Sequence, residues 1–402
     1  MKDFTKRIPE LDGIRGMAIF MVLVFHWVRV QGHSTILPDK LAKLLSFGWT
    51  GVDLFFVLSG FLIGGILLDS RDSTNYFSVF YIRRLYRIMP LYGILCLWSV
   101  AVFYAPLSTH DWLFHGNVPW YAWLTFGQNF WMAKHPGNGA LQLDSTWSLA
   151  VEEQFYFTLP LIIRFVSRKS LPYVLGIGVL LSPLVRIILW FAVDPANRGA
   201  AAYVLTFTRM DGLLLGALAA CAVRNAVCWD WLVANRTIIA AVSILLGAGI
   251  FEVIRRTLIG TFAFGAFGYT WIALFFVSLL LIAVTQQGFV SRIFRLRILA
   301  ELGIVSYGLY LFHEPVLGLV YGLAGKDSPA LTSLSAIGLT SLSGVLLFAL
   351  VRFSWRYFEK PILKRGHRHQ YRYGDTPAPV SAQVTTKPRH LFRPSVSQLL
   401  RR

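Results

Sequence analysis

Stretches of about twenty mostly apolar residues, the length a helix needs to cross the hydrocarbon core of a bilayer, recur about ten times along this 402-residue chain. Their soft boundaries fall near 15–31, 51–68, 88–107, 146–166, 172–193, 200–223, 237–252, 262–284, 299–323 and 331–351. The expected fold is all-α, a polytopic transmembrane helical bundle of about ten spanning helices. Composition agrees. The chain is 55% hydrophobic and 14% charged, against roughly 25% charged in soluble domains, which sets aside a soluble enzyme. A net charge of +18 on a soluble protein would suggest nucleic acid; here the positives are distributed as membrane topology requires, and no nucleic-acid partner is expected. The first stretch follows Pro9, Glu10 and Asp12 and precedes no small-x-small site, so it reads as a retained helix, not a cleaved leader. Cys96, Cys221 and Cys228 offer neither a disulfide framework nor a paired-cysteine metal site, and no metal is expected.

Cytoplasmic segments are enriched in Lys and Arg. With the N-terminus inside, 27 of these residues fall on the cytoplasmic side and 8 on the other, so both termini are expected in the cytoplasm. Residues 1–360 then form the transmembrane domain. Residues 361–402, rich in Pro, Ser, Thr, Lys and Arg, read as a disordered basic tail that touches anionic lipid, dispensable for chemistry beyond about Arg365. The longest outer loop, 108–145, carries Trp112, Trp120, Trp123 and Trp131. It reads either as a cover for a polar acceptor or as an interfacial aromatic belt.

Ionisable side chains inside spanning helices are costly and usually face a cavity. In the first span, Arg15 and His26 share one face about 16 Å apart, which puts Arg15 at the cytoplasmic mouth and His26 near mid-membrane, where a neutral imidazole can act as a general base. Arg15 also fits a topology anchor, and His26 a packed histidine. Arg84 and Arg87 in RRLYRIMP share a helix face and can hold phosphate bidentately, or again simply anchor topology. TWSLAVEEQFYF opens the fourth span and places Glu152 on one face with Tyr156. Because spans one and four run in opposite directions, Glu152 can reach the depth of His26 and orient its imidazole as carboxylates do in hydrolase triads; it also fits an interfacial carboxylate in contact with water. Asp53 with Ser59, Arg209 with Asp211, Arg186, and His313 with Glu314 read as locally satisfied pairs or caps. Gly60 and Gly64, like Gly212 and Gly216, have the small-xxx-small spacing of close helix packing.

The order of these segments resembles the integral-membrane acyltransferase family 3. The resemblance rests on PELDGIRGMAIFMVLVFHW, GVDLFFVLSGFLI, the Arg84-x-x-Arg87 of RRLYRIMP, WSLAVEEQFY and the late YLFHEP, and it spans most of the chain. It implies a membrane-embedded O-acyltransferase of the bacterial inner membrane that moves an acyl group, most often acetyl, from cytoplasmic acyl-CoA to a hydroxyl acceptor, carbohydrate in particular. Acetyl-CoA would be a co-substrate, with no permanently bound cofactor. The resemblance assigns Arg15, Arg84 and Arg87 to donor binding and His26 and Glu152 to catalysis; Asp12, Asp53, Ser59, Tyr156 and His313 stand as supporting residues. Some relatives carry an extracytoplasmic esterase domain, whereas this chain has only its basic tail, so any second half-reaction is expected to need a separate protein, or none takes place. Direct transfer is expected ahead of a transient acyl-histidine, because no nucleophilic-serine motif is visible. The rival class, a transporter or flippase of polar solutes, also needs intramembrane charge and broken helices. It lacks support from any visible inverted repeat, and phosphate-suited arginines lie on one side only.

Overall fold

The computed structural model describes residues 8–28, 37–103, 118–136, 141–285, 288–326, 329 and 331–373. Among them the regular structure is helical throughout. The long helices are α1 (Pro9–Val28), α2 (Gly51–Ser70), α3 (Tyr76–Phe103), α4 (Thr146–Phe165), α5 (Leu171–Ala192), α6 (Thr206–Arg224), α7 (Arg236–Arg255), α8 (Tyr269–Thr285), α9 (Ser306–Leu323) and α10 (Leu334–Ser354), followed by a short α11 (Lys360–His367). By length and composition seven helices or helix runs among the described residues can cross a membrane, or eight if the bent pair Arg297–Ile304 and α9, 74° apart, is one span. The expectation of ten is higher. The 88–107 stretch runs out of α3 into residues outside those described, and α4 carries Glu152, Glu153 and Arg164. Two expected spans are broken helices. Leu205 interrupts 200–223 and Val305 interrupts 299–323.

α2 and α6 pack along their length because glycines let their backbones meet. A Cβ at Gly60 would lie 1.8 Å from the Leu213 carbonyl oxygen, and one at Gly216 would lie 2.1 Å from that of Val57, so the small-xxx-small reading of the sequence holds. Around this contact lies a polar network the sequence pairs differently. Arg209 does not pair with Asp211 two residues on; its Nη2 donates to Asp53 Oδ1 on α2 at 2.7 Å, and its guanidinium lies 4.2 Å from the centroid of the Tyr269 ring. Asp211 instead accepts from Arg186 Nη1 on α5 at 3.0 Å and from the Thr270 hydroxyl at 2.6 Å. Four helices are thus cross-tied by residues distant in sequence. The Arg209–Asp53 pair is nearly sealed, with side-chain exposures of 1% and 4%.

Removing one partner of a buried pair leaves a charge with no solvent, which costs about 3 to 5 kcal/mol. Asp53→Ala is therefore expected to lower the thermal unfolding midpoint of the detergent-purified protein sharply, with Asp53→Ala/Arg209→Met recovering much of the loss. An unaltered midpoint in the single variant would remove this pair from the account of stability.

The bundle has two chemically distinct ends. Near one lie the C-terminal end of α1, the start of α4 and the segment 118–136, whose Gln128 Nε2 donates to the Thr146 carbonyl at 3.1 Å and whose Asn129 Nδ2 donates to Val204 O at 3.2 Å. This part of the aromatic loop is packed onto the bundle; Trp112 lies outside the described residues. At the other end the start of α3 meets α11 and residues 368–373. The first part of the expected disordered tail is therefore structured. Gly366 sits against Tyr86, where a Cβ would come within 2.8 Å of the tyrosine Cβ. Residues 374–402 lie outside the described residues.

Candidate active site

His26 sits near the C-terminal end of α1. Its Nδ1 is 2.9 Å from the Val22 carbonyl oxygen, and since a carbonyl only accepts, Nδ1 carries the proton. The basic nitrogen is then Nε2, which lies 3.5 Å from Glu314 Oε1. Glu314 is held in turn, its Oε2 accepting from the Ser145 backbone N–H at 3.1 Å. The neighbouring His313 is fully buried. Its Nδ1 donates to Tyr310 O at 2.7 Å, and its ring meets that of His26 edge to face, with centroids 4.6 Å apart. Its Nε2 has no hydrogen-bond partner among the described residues. The Tyr310 hydroxyl, which contacts the Ser148 hydroxyl, donates to the Ser145 carbonyl at 2.8 Å, so α9 and the start of α4 are locked together beside the imidazoles.

These residues form a cluster of acid–base groups. One imidazole has its proton-bearing nitrogen fixed by backbone and its other nitrogen facing a carboxylate. A proton taken up at Nε2 creates an imidazolium against Glu314, which that charge stabilises. This differs from a hydrolase triad, where the carboxylate grips the opposite ring nitrogen. The ligand atoms of His26, His313 and Glu314 all lie within 4.8 Å of one another, so the same donor set is one that a metal ion takes.

The other sequence-derived candidates assemble about three turns away along α1. Arg15 Nη1 donates to Asp12 Oδ1 at 3.1 Å. Arg84 lies over the Tyr156 ring at 5.8 Å, and Arg87 over the Tyr307 ring at 5.6 Å. The three guanidinium groups are close enough to act on one another's charge, and among the described residues neither Arg84 nor Arg87 has a carboxylate in ion-pair contact. The cluster is one that the phosphates of an anionic ligand would complete. Glu152 belongs to this end, accepting from the Tyr156 hydroxyl at 2.8 Å, with Ser59 bonded to the same hydroxyl and Arg84 and Arg15 within electrostatic reach.

The structure therefore brings Arg15, Arg84, Arg87, Asp12, Ser59, Tyr156 and Glu152 into one neighbourhood and His26 and His313 into another. Asp53 belongs to the buried network with Arg209. Glu152 is bonded to Tyr156 rather than placed against His26, and the reason is depth. Ser145, just before α4, is already level with Glu314 and His26, so Glu152, seven residues on, lies about 10 Å farther along the helix. The carboxylate that meets His26 is Glu314. Sequence reasoning had it in view in LYLFHEP but assigned it to local capping; its signal was a His-Glu-Pro inside an apolar span.

Residues 8–352 match the family described as the acyltransferase domain. Among curated proteins the chain is similar to the O-acetyltransferase OatA of Staphylococcus aureus, 27% identical over 384 residues that cover 90% of this chain and 58% of that protein. It is likewise similar to the peptidoglycan O-acetyltransferase OatA of Listeria monocytogenes, 27% identical over 387 residues covering 90% and 56%. The putative peptidoglycan O-acetyltransferase YrhL of Bacillus subtilis is 28% identical over 401 residues, covering 90% and 56%. The chain thus spans less than two thirds of the length of the curated relatives it matches. No solved structure matches it significantly.

Proposed function

Because this chain belongs to the integral-membrane acyltransferase family 3, we propose that it transfers an acetyl group from acetyl-coenzyme A, taken from the cytoplasmic face, to a hydroxyl of a cell-wall glycan. The protein is a multi-pass membrane transferase. The observation that carries the finer reading is the pairing of two unlike sites on one helix: a guanidinium cluster at Arg15 and, about 16 Å along α1, an imidazole facing a carboxylate at His26 and Glu314. An extended pantetheine arm is a connector of that reach. Phosphates held by Arg84, Arg87 and Arg15 leave the thioester beside His26. The glycan acceptor is drawn from the names of two of the relatives, a peptidoglycan O-acetyltransferase and a putative one.

In the step proposed, His26 Nε2 removes the proton of the acceptor hydroxyl as its oxygen attacks the thioester carbonyl. The imidazolium is stabilised by Glu314. When the carbon–sulfur bond breaks, the thiolate takes the proton back from His26, and the products are an ester and free coenzyme A. Atoms and charge balance without a further reactant.

The donor half is tested with labelled acetyl-coenzyme A in membrane vesicles at varied donor concentration. Arg84→Ala and Arg87→Ala are each expected to raise the donor KM at least tenfold, since a hydrogen bond to a charged partner contributes about 1.5 to 3 kcal/mol. Lys replacements should restore only part of this, lacking the planar bidentate contact. A donor KM unchanged in both Ala variants, at normal membrane abundance, would return the two arginines to topology anchors.

A further inference from the structure

The segment that follows α11 does not trail away from the bundle. Arg83 Nε and Nη2 donate to the His369 carbonyl at 2.9 and 2.6 Å, and the guanidinium lies 5.1 Å from the centroid of the Tyr371 ring. Asn75 grips the same strand of backbone from the other side: its Nδ2 donates to the Gln370 carbonyl and its Oδ1 accepts from the Arg372 N–H, both at 2.9 Å. The Thr74 N–H donates to Arg372 O at 2.8 Å. Between this segment and the start of α3 lies a half-open cleft of about 530 Å³, its walls formed by Asn75, Ser78, Arg368, His369, Tyr371 and Arg372 among others.

Arg368 and Arg372 are exposed, and among the described residues neither side chain has an ion-pair partner. A single phosphate needs far less room than this cleft, while the volume falls within the range of sites for small organic molecules. The wall has one aliphatic side chain, Val79, so it offers no groove for lipid acyl chains. The cleft also has an address. Ser78 lies six residues before Arg84 on α3, about 9 Å along the helix, on the side of the guanidinium cluster away from His26.

We propose that this cleft receives the 3′-phosphorylated adenosine end of the coenzyme A donor, with Arg368 and Arg372 meeting the 3′-phosphate. The inference rests on the donor reading above and extends it to a part of the chain that composition alone assigns to a disordered tail. The donor then lies along one line: nucleoside in the cleft, diphosphate at Arg84 and Arg87, thioester at His26.

The test compares acetyl-coenzyme A with its 3′-dephospho analogue on the full-length protein reconstituted in phosphatidylcholine vesicles, with and without added phosphatidylglycerol. The wild-type KM is expected to be about tenfold lower for acetyl-coenzyme A, the value of one charged hydrogen-bonded contact. Arg368→Ala/Arg372→Ala should abolish that preference by raising only the acetyl-coenzyme A KM, leaving kcat and the KM of the dephospho donor unchanged. Equal wild-type KM values for the two donors, or a variant defect of the same size on both, would overturn the cleft assignment and leave the donor reading standing. A defect seen only with phosphatidylglycerol present would also overturn it, in favour of a lipid headgroup site. Failure of the wild type to release the free thiol from either donor would sink both readings.

Discussion

His26→Ala in the reconstituted protein is expected to reduce the rate of acetyl transfer by about 10² to 10⁴, the range that a positioned general acid–base group contributes, while coenzyme A binding persists. The split follows from distance, since the imidazole lies about three helical turns from Arg15 and touches none of the guanidinium groups that would hold phosphate. A rate loss accompanied by an equal loss of donor affinity would instead make His26 a packing residue. Its contacts argue otherwise: Nδ1 is taken by the Val22 carbonyl, while Nε2 faces a carboxylate and the ring meets a second imidazole edge to face, an arrangement that packing alone does not need.

Glu314→Gln is the second large effect. The substitution keeps size and can keep the hydrogen bond from the Ser145 N–H, but it removes the charge that faces Nε2. Preorganised electrostatic groups of this kind typically contribute 10² to 10³ in rate, and a loss of about a hundredfold in kcat is expected with little change in donor KM. Residues acting as one unit are strongly non-additive, so His26→Ala/Glu314→Gln should be little slower than His26→Ala alone. Steady-state kinetics of the three variants, each shown to be folded by size-exclusion chromatography, decide the matter. Losses that multiply would separate the two residues and assign Glu314 to holding α9 against the start of α4.

Much of this was legible in the chain itself. Helical period and apolar length placed the long helices, the Arg-x-x-Arg spacing put two guanidiniums on one face, and the glycine spacing marked the α2–α6 contact. What could not be read was which carboxylate stands at which depth. Glu152 and Glu314 both sit inside apolar helices, and the choice between them turns on where α4 begins relative to α1, a rigid-body relation that no local pattern encodes. The cross-ties are hidden for the same reason: Arg209 and Asp53 are 156 positions apart, and a nearer acid, Asp211, competes for the arginine on paper. The breaks at Leu205 and Val305 carry no proline or glycine of their own, so two interrupted helices, one of them bent by 74°, read as continuous ones. The ordered residues after α11 were obscured by their neighbours, because KPILKRGHRHQYRY is basic enough to merge with the Pro- and Ser-rich residues beyond it.

The central claim is that one end of α1 holds the donor and the other performs the chemistry. It is tested most directly by measuring, on a single set of reconstituted vesicles, coenzyme A affinity and the rate of labelled acetyl transfer to a glycan acceptor for the wild type, His26→Ala and Arg84→Ala/Arg87→Ala. The account predicts a crossed result: His26→Ala binds coenzyme A like the wild type but transfers at least about a hundredfold more slowly, whereas the arginine variant binds at least tenfold more weakly and recovers most of its rate at saturating donor. If both variants lose affinity and rate in the same proportion, or if His26→Ala transfers acetyl at the wild-type rate, the division of labour along α1 is wrong.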